Sequence, residues 1–181
     1  PEKRGIIPIG ELHISKSLKK FIKRTNLEIT INNSFKTVLN NCCNRTETWI
    51  NRQLAGSYIE LHELKYAYSI EVWCNQQLIG GLFGVTLGTV FFAESMFTTE
   101  TNGSKIAMVA LMGILVFCRF TLLDIQFVSK HLTTMGAQEI ERKKYESQLS
   151  HSLLQKPNGF ETLPTTDINY LMQLNKTISY R

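Results

Sequence analysis

Apolar residues recur at helical intervals through the first third of the chain. In the segment "HISKSLKKFIKRT" four of them fall on one helical face, and a serine precedes the first turn, where its hydroxyl can cap the helix. These residues are Ile14, Leu18, Phe21, Ile22 and the capping Ser15. The segment "LEITI" alternates as a short strand, while "NSFKTVLNNCC" and "RQLAGSYIELHELKY" again show helical spacing. The pattern therefore predicts a helix, a strand and two further helices.

The middle of the chain changes to the period of a β-sheet. The segment "AYSIEVWCNQQLIGGLFGVTLGTVFFAESMF" has the pattern of three consecutive strands, with turns at residues 75–77 and 87–89. Next, "KIAMVALMGILVFCRF" is apolar on nearly all sides, which is typical of a helix packed against a sheet. A further strand, "TLLDIQF", and a polar helix, "ERKKYESQLSHSLLQ", follow it.

This order of elements predicts an α+β domain. A strand meander and a helical crossover to a neighbouring strand give a mostly antiparallel central sheet with packed helices, the general plan of the acyl-CoA N-acetyltransferase fold. We expect residues 1–156 to form this domain. Residues 157–181 contain two prolines and weak periodicity, and we expect an irregular C-terminal tail with at most one short helix.

Composition agrees with one globular domain. The 181 residues are 43% hydrophobic and 19% charged, which is enough apolar content for a single core. The apolar run at residues 106–118 is shorter than the roughly 20 residues that a membrane span needs. The four cysteines have no C-x-x-C spacing, and we interpret them as free thiols. We expect a cytoplasmic monomer that does not use a membrane.

The net charge of +5 is partly concentrated on the first helix. Four basic residues, Lys16, Lys20, Lys23 and Arg24, share the helical face opposite the apolar one. Such a face is either an ordinary solvated surface or a site for a polyanion, whose phosphates it would bind without reading bases.

Acidic residues also occur within apolar segments. In a regular strand Asp124 and Gln126, two residues apart in "LLDIQF", point to the same face, and Glu94 lies within "FFAESMF". Each carboxylate either accepts hydrogen bonds from a backbone or a basic partner, or belongs to a functional site. Burial raises the pKa of a carboxylate, which suits a general base or a group that binds cations.

Metal and coenzyme motifs are incomplete in this sequence. His62-Glu63 begins like H-E-x-x-H, but Tyr66 takes the place of the second histidine, so we expect no metal. The turn at residues 101–105 has a single glycine, unlike the glycine-rich turn with which acetyltransferases hold the pyrophosphate of coenzyme A. No local pattern indicates a nucleophilic triad.

Several long segments, in order, resemble the leucyl/phenylalanyl-tRNA-protein transferase family. They run from residue 1 to about residue 149: "ELHISKSLKKF", "TWI", "LHELKYAYSIEVW", "LIGGLFGV", "FFAESMF", "SKIA", "LLDIQF" and "HLTTMGAQEI". The resemblance implies an aminoacyltransferase that moves Leu, and also Phe or Met, from aminoacyl-tRNA to the N-terminal Arg or Lys of acceptor proteins and so marks them for degradation. It implies an acetyltransferase-like fold and no cofactor, because the tRNA ester is already the activated donor.

The same resemblance assigns roles to the polar residues. Asp124 and Gln126 match the family's D-x-Q pair and are the predicted catalytic residues. An amide is no base near neutral pH, so we expect Gln126 to orient the attacking amine and Asp124 to polarise Gln126 and stabilise developing positive charge. Glu94 is predicted to hold the cationic end of the acceptor or to order the site.

The donor side chain is expected to enter an apolar pocket between sheet and helix. The resemblance places five residues there: Leu82, Met96, Met108, Leu111 and Leu115. The last three share one helical stripe, for which plain core packing is the alternative. Trp49 is expected either to stack on the terminal adenosine of the tRNA or, as we favour, to pack in the core. Lys16, Lys20, Lys23 and Arg24 match basic positions that bind the tRNA body.

Two alternative functions remain open, and the start of the sequence differs from the pattern of the family. The rivals are a coenzyme A-dependent N-acetyltransferase and a non-catalytic RNA- or peptide-binding module on the same fold. The departure concerns the start of the chain, because family members have a small N-terminal domain ending in W-W-S-P-x-x-R, whereas this chain opens with "PEKR". We expect the chain alone to fold and to transfer weakly.

Overall fold

The computed structural model describes residues 1–44 and 48–175. Seven strands lie in these ranges: β1 (Lys3–Ile7), β2 (Leu27–Ile31), β3 (Ala67–Cys74), β4 (Gln77–Leu87), β5 (Val90–Thr98), β6 (Leu122–Gln126) and β7 (Gln138–Glu141). The same ranges contain the helices α1 (Lys16–Arg24), α2 (Phe35–Cys43), α3 (Arg52–Glu63), α4 (Gly103–Phe117), α5 (Lys130–Thr133), α6 (Arg142–Leu153) and α7 (Ile168–Leu174), with a 3-10 turn at Phe160–Thr162.

All seven strands join one sheet in the order β2-β3-β4-β5-β6-β1-β7. Every neighbouring pair is antiparallel except β5 and β6, which are parallel and are connected through α4. The predicted meander is confirmed as β3, β4 and β5, and the helical crossover is confirmed as α4. The α+β class and the mostly antiparallel sheet therefore agree with the sequence pattern.

The sequence pattern missed β1, β7 and α5. β1, with the sequence KRGII, pairs with both β6 and β7, so it is an interior strand of the sheet. β7, with the sequence QEIE, has one apolar residue, which is too few to show an alternating period. The strands β6 and β7, with which β1 pairs, lie more than a hundred residues further along the chain, so no local pattern indicates this pairing.

Helix α4 lies across one face of the sheet and forms the centre of the main core. Twelve of its fifteen residues are buried, because α7 covers the side that the sheet leaves open. A Cβ atom on Gly113 would lie 2.3 Å from the carbonyl oxygen of Leu171, so this contact requires glycine. Within the described ranges, no helix combines the length and the apolar character needed to cross a membrane.

The segment after residue 156 contains the one short helix that the sequence allows, and this helix packs into the core. Its 3-10 turn places Phe160 in the main core, and α7 buries Ile168, Leu171 and Met172 against α4. The weak periodicity of this segment reflects its short helix, whose few apolar residues are ordered by packing rather than by helix propensity. Residues 157–175 thus share the core of the preceding residues.

The opposite face of the sheet carries α2, α3 and α6. Phe83 and Phe97 pack with α2 and α3, while Val90 and Leu122 belong to a smaller cluster that includes side chains of α6. These clusters share a face, because Val85 of the first and Phe92 of the second are directly paired across β4 and β5. Helix α6 therefore lies over the strands that lead to the site described next.

Candidate active site

A cavity opens where the two parallel strands separate. Pairing between β5 and β6 ends at Phe92 and Asp124, although both strands continue. Residues 93–96 of β5 and residues 125–127, at and just after the end of β6, line a cavity of about 340 Å³ between them. Met108 of α4 and Leu82 of β4 complete its floor. The volume lies at the lower end of the range of roughly 300–1,000 Å³ that is typical of ligand pockets.

The cavity is mainly apolar, with a few polar groups. Its apolar residues are Leu82, Ala93, Met96, Met108, Ile125 and Leu132, and its polar residues are Glu94, Ser95, Gln126, Ser129 and His131. Two aromatic residues that line it are open to solvent, with Trp49 54% and Phe127 71% exposed. This combination of an apolar interior and a few polar groups is typical of a site that orients a partly apolar ligand.

Glu94 and Gln126 form a hydrogen-bonded pair in the cavity wall. The Gln126 Nε2 atom donates to Glu94 Oε2 at 3.0 Å. Burial raises the pKa of Glu94, and hydrogen bonding from the Tyr58 and Gln126 side chains opposes that rise. No donor within the described residues bonds to the Gln126 Oε1 atom. The pair therefore leaves a carbonyl oxygen available to accept a hydrogen bond from a ligand.

Asp124 lies behind this wall, fully buried and outside the cavity lining. The Arg4 Nε atom is 3.0 Å from both carboxylate oxygens, and the Arg4 Nη2 atom is 3.0 Å from Oδ2. The Tyr145 hydroxyl donates to Oδ2 at 2.5 Å, and burial together with this bond raises the pKa of Tyr145. The carboxylate is thus held by groups from β1 and α6.

The remaining partner of Asp124 is the backbone of Gln126. The Gln126 N–H donates to Asp124 Oδ1 at 2.7 Å, at a residue whose φ is 65°. Left-handed backbone at a non-glycine residue costs about 1–3 kcal/mol and persists only where neighbouring contacts enforce it. The Phe127 N–H donates to the Ile125 carbonyl at 2.7 Å, which closes a tight turn at the end of β6.

This turn corrects two predictions about the D-x-Q pair. The regular alternation that would place both side chains on one face is broken at Gln126, because its φ is positive. The Asp124 carboxylate bonds to the Gln126 backbone, whereas the Gln126 amide bonds to Glu94, so the predicted direct polarisation of the amide by Asp124 is not what the structure shows. Asp124 is positioned to act on Gln126 through the main chain.

The structure divides the predicted pocket residues into two groups. Leu82, Met96 and Met108 line the cavity as expected. Leu111 and Leu115 do not: both are fully buried in the main core, one and two turns further along α4. The stripe on α4 extends past the point where β5 and β6 separate, so only its first residue reaches the opening.

Trp49 differs from the core-packing role that we favoured. Its indole is 54% exposed and lines the cavity, and it packs against Tyr58 in an edge-to-face arrangement at a centroid distance of 6.4 Å. Tyr58 in turn packs against Phe83 at 4.9 Å, so the exposed indole is supported by a ring inside the protein. Trp49 is therefore available to a ligand at the cavity.

The basic residues of α1 lie together as predicted. Ser15 caps the helix by accepting from the Leu18 N–H, and Leu18 and Ile22 are buried beneath it. The exposed side of α1 forms an open groove, the α1 basic groove, lined by Lys16, Lys19, Lys20, Lys23 and Arg24. Within the described residues no carboxylate forms an ion pair with these five side chains. Lys19 was missed, although it lies three residues from Lys16 and four from Lys23.

Other residues of the site were not singled out from the sequence, although Arg4 holds the place of the final R in the family's P-x-x-R. Arg4, Tyr58 and Tyr145 reach it from β1, α3 and α6, so their proximity depends on the assembled sheet. His131 lines the cavity, with burial lowering its pKa and its Nε2 atom unbonded to any described residue. Among residues 1–44 and 48–175, no group of three or more His, Cys, Asp or Glu side chains is arranged to hold a metal ion.

Comparison with known proteins matches most of this chain. The sequence profile of the family described as "Leucyl/phenylalanyl-tRNA protein transferase" matches residues 6–150, which include α1, the meander, α4 and β6. Proteins named leucyl/phenylalanyl-tRNA--protein transferase are similar to it in several bacteria. The protein of Dinoroseobacter shibae is 46% identical over 156 residues, covering 86% of this chain and 70% of the relative.

Two further relatives extend the match. The Jannaschia sp. protein is 44% identical over 164 residues, covering 91% of this chain and 77% of its own length, and the Paracoccus denitrificans protein is 40% identical over 173 residues, covering 96% and 81%. Both carry the same name as the first. The matched residues contain both the cavity between β5 and β6 and the α1 basic groove, and by this evidence the chain belongs to the leucyl/phenylalanyl-tRNA protein transferase family.

Proposed function

We propose that this protein transfers Leu, and also Phe or Met, from aminoacyl-tRNA to the N-terminal Arg or Lys of acceptor proteins, forming a peptide bond that marks them for degradation. The observation that carries the proposal is the apolar cavity between β5 and β6 with the Gln126 amide in its wall, in a chain of this family. The reaction uses an ester that is already activated, so the acyl group needs no coenzyme.

The chemistry requires positioning more than proton abstraction. The α-amine of the acceptor attacks the ester carbonyl, a C–N bond forms, the ester C–O bond breaks, and the proton lost by the amine ends on the ribose oxygen. We assign Gln126 Oε1 to accept a hydrogen bond from that amine, since Nε2 is already committed to Glu94. Glu94 then acts chiefly by fixing which end of the amide faces the ligand.

The apolar residues of the cavity suit the side chain of the donor amino acid. Met96 and Met108 are unbranched and flexible, so they can repack around side chains of different shape. Apolar side chains that differ by a few carbons are separated by only about 1–3 kcal/mol in such a pocket. We therefore expect Leu to be transferred and Phe and Met to be tolerated.

We assign the α1 basic groove to the tRNA body and Trp49 to the terminal adenosine. Five cations on one exposed face attract a phosphate backbone without reading its bases. An exposed indole at the cavity offers a surface on which a base can stack, which is worth about 1–3 kcal/mol per base. The affinity for charged tRNA should fall as the salt concentration rises. The Lys20→Ala variant should show a weaker dependence of affinity on salt than the Lys36→Ala control on α2.

We also infer the acyl-CoA N-acetyltransferase plan for the fold. Its support is the antiparallel meander followed by α4 and a parallel β6, with the cavity where β5 and β6 part. We propose residues 1–156 as the aminoacyltransferase domain. Residues 157–175 of the predicted irregular tail pack into the same core, and residues 176–181 of that tail lie outside the described residues. Because the proposed reaction consumes aminoacyl-tRNA, we expect the protein to act in the cytoplasm, and to act as a monomer.

Transfer of labelled leucine from charged tRNA to a peptide beginning with Arg tests the proposal directly. The expected result is labelled peptide with the Arg-first substrate and none with the same peptide acetylated at its N-terminus. Absence of transfer by the wild-type chain would contradict the proposal. Binding of acetyl-CoA by calorimetry would favour an N-acetyltransferase, and tRNA or peptide binding without transfer would favour a non-catalytic module.

A further inference from the structure

The carboxylate of Asp124 connects three distant parts of the chain to the wall of the cavity. Arg4 approaches it from β1 and Tyr145 from α6. Neither residue lines the cavity. The Arg4 guanidinium also lies over the Tyr145 ring, 5.6 Å from its centroid. The two side chains therefore support each other as well as the carboxylate.

The only other group that this carboxylate bonds, among the described residues, is the Gln126 backbone. Asp124 Oδ1 accepts from the Gln126 N–H at 2.7 Å, where the chain adopts φ of 65°. The pairing of β1 with β6 shifts register at the same point, between Gly5 and Ile6. A Cβ atom on Gly5 would lie 2.8 Å from the backbone of Phe127, so β1 closes tightly over the turn.

The direction of the Gln126 side chain follows from this turn. With ordinary strand geometry, Gln126 would continue the alternation of β6 and follow Asp124 toward α6. The left-handed backbone instead directs its amide to Glu94 and into the cavity wall. An unfavourable conformation of this kind persists only when surrounding contacts enforce it. The Asp124 carboxylate is the side chain that bonds the Gln126 backbone, and the Phe127 N–H bond to Ile125 closes the same turn.

We propose that Arg4 and Tyr145 are positioning residues for aminoacyl transfer: they fix the Asp124 carboxylate, which holds Gln126 in its left-handed conformation and its amide in the cavity. This inference rests on the proposed function and concerns residues that touch no substrate. Arg4 supplies a planar fork that contacts both carboxylate oxygens, and Tyr145 supplies one hydroxyl donor. Arg4 is accordingly the more important of the two.

Steady-state transfer of leucine by variants of the 181-residue chain tests this inference. Displacing a reacting group by about 1 Å costs about 100-fold in rate, so Arg4→Ala should lower kcat by about 100-fold and Tyr145→Phe by about 10-fold, with KM for charged tRNA within about twofold of wild type. Arg4→Lys should fall between wild type and Arg4→Ala, because it keeps the charge and loses the fork. Lys3→Ala is the matched control, since Lys3 neighbours Arg4 and its side chain forms an exposed ion pair with Glu139.

A double-variant cycle separates positioning from a general loss of stability. If Arg4 acts through Gln126, the variant with both Arg4→Ala and Gln126→Ala should be no slower than Gln126→Ala alone. A rate equal to the product of the two single losses would overturn the inference. Rates are compared per folded molecule, measured by circular dichroism, and Tyr145→Phe provides the test if Arg4→Ala fails to fold.

The outcomes also distinguish this inference from the function on which it rests. A wild-type chain that transfers no leucine removes the proposed function. If the wild-type chain transfers leucine and the variants Tyr145→Phe and Arg4→Lys have the wild-type kcat, the positioning role is contradicted and the proposed function is still supported. A loss of kcat in these variants with unchanged KM, and no loss in Lys3→Ala, supports it.

Discussion

Two carboxylates in the same sheet, Asp124 and Glu71, are both fully buried and yet have different surroundings. Among the described residues, Glu71 on β3 accepts hydrogen bonds only from neutral donors: the hydroxyls of Thr30 and Ser69 at 2.5 Å and the backbone N–H groups of Asn33 and Ser34 at 3.3 Å. Asp124 on β6 has a cation, a phenol and one backbone N–H. The number of hydrogen bonds is similar, but the charge of the partners is not.

The difference shows what each carboxylate organises. Glu71 accepts hydrogen bonds from backbone N–H groups immediately before α2. Its negative charge is attracted to the positive end of the helix dipole there. Burial raises the pKa of Glu71 more than its hydrogen bonds lower it. Asp124 instead holds a left-handed turn beside the cavity. Burial of an acidic residue does not by itself identify a functional site, and neither does a left-handed residue nearby, because Asn32, next to the Glu71 contact at Asn33, has φ of 59°. Asp124 differs in that the residue whose backbone it bonds, Gln126, lines the candidate active site.

The largest contrast should come from neutralising the two residues separately. Asp124→Asn leaves Arg4 without its partner, which should cost about 3 kcal/mol, the lower end for a broken buried ion pair, because Arg4 keeps some access to water. Transfer should fall by about 100-fold, because Asn has a single acceptor oxygen: with that oxygen turned to Arg4 and Tyr145, its NH2 group faces the Gln126 N–H and the turn loses its bond. Glu71→Gln should cost about 1–3 kcal/mol and leave kcat per folded molecule unchanged. Denaturant unfolding measures the stability of each variant, and leucine transfer measures its kcat. Equal losses of kcat in the two variants would contradict the difference proposed between Asp124 and Glu71.

A second substitution addresses the cavity without disturbing the buried carboxylate. Gln126→Ala should lower kcat by about 100-fold, as expected when one preorganised hydrogen-bonding group is lost from a catalytic site. The free energy of unfolding should change by less than about 1 kcal/mol, because the Gln126 N–H to Asp124 bond is retained. Gln138→Ala, an exposed position on β7, serves as the control. An unimpaired Gln126→Ala enzyme would place the chemistry elsewhere.

The Glu71 cluster should respond to a smaller change through stability alone. Thr30→Val removes the hydroxyl that bonds Glu71 and that also accepts from Trp73 Nε1 at 2.8 Å. The loss should be about 1–2 kcal/mol in the free energy of unfolding, with leucine transfer unchanged. Thermal unfolding followed by circular dichroism gives the first quantity, and a fall in kcat per folded molecule would show that this cluster also serves the site.

The smallest effect should appear in the pH dependence of stability. The pKa of Glu71 is higher in the folded protein than in the unfolded chain. Protonation of Glu71 therefore stabilises the fold fully at pH below the pKa of the unfolded chain, and this stabilisation is lost as pH rises through the pKa of the folded protein. The free energy of unfolding of the wild type should therefore decrease with rising pH in this window relative to Glu71→Gln. Denaturant midpoints collected from mildly acidic to neutral pH measure the difference; parallel curves would contradict the raised pKa.

Local pattern predicted much of the fold and part of the site. The turns at residues 75–77 and 87–89, the helix α4 and the cationic face of α1 follow from short-range spacing, which reports directly on which side of an element is buried. Gln126, Glu94 and Met96 were found through family motifs, and all three line the cavity. In contrast, the helical stripe that contains Leu111 and Leu115 indicated burial without showing what each residue would contact.

The sequence by itself determined the α+β class, the meander with its crossover helix and the polar residues in β5 and β6, because period and composition act over a few neighbouring residues. Only the tertiary structure decided that β1 joins β6, that Arg4 and Tyr145 meet at Asp124, and that Gln126 leaves the strand pattern. The contact between Arg4 and Asp124 joins residues that are 120 positions apart in the chain. No local period encodes such a distance, since the partner of a buried charge is fixed by the packing of the whole sheet.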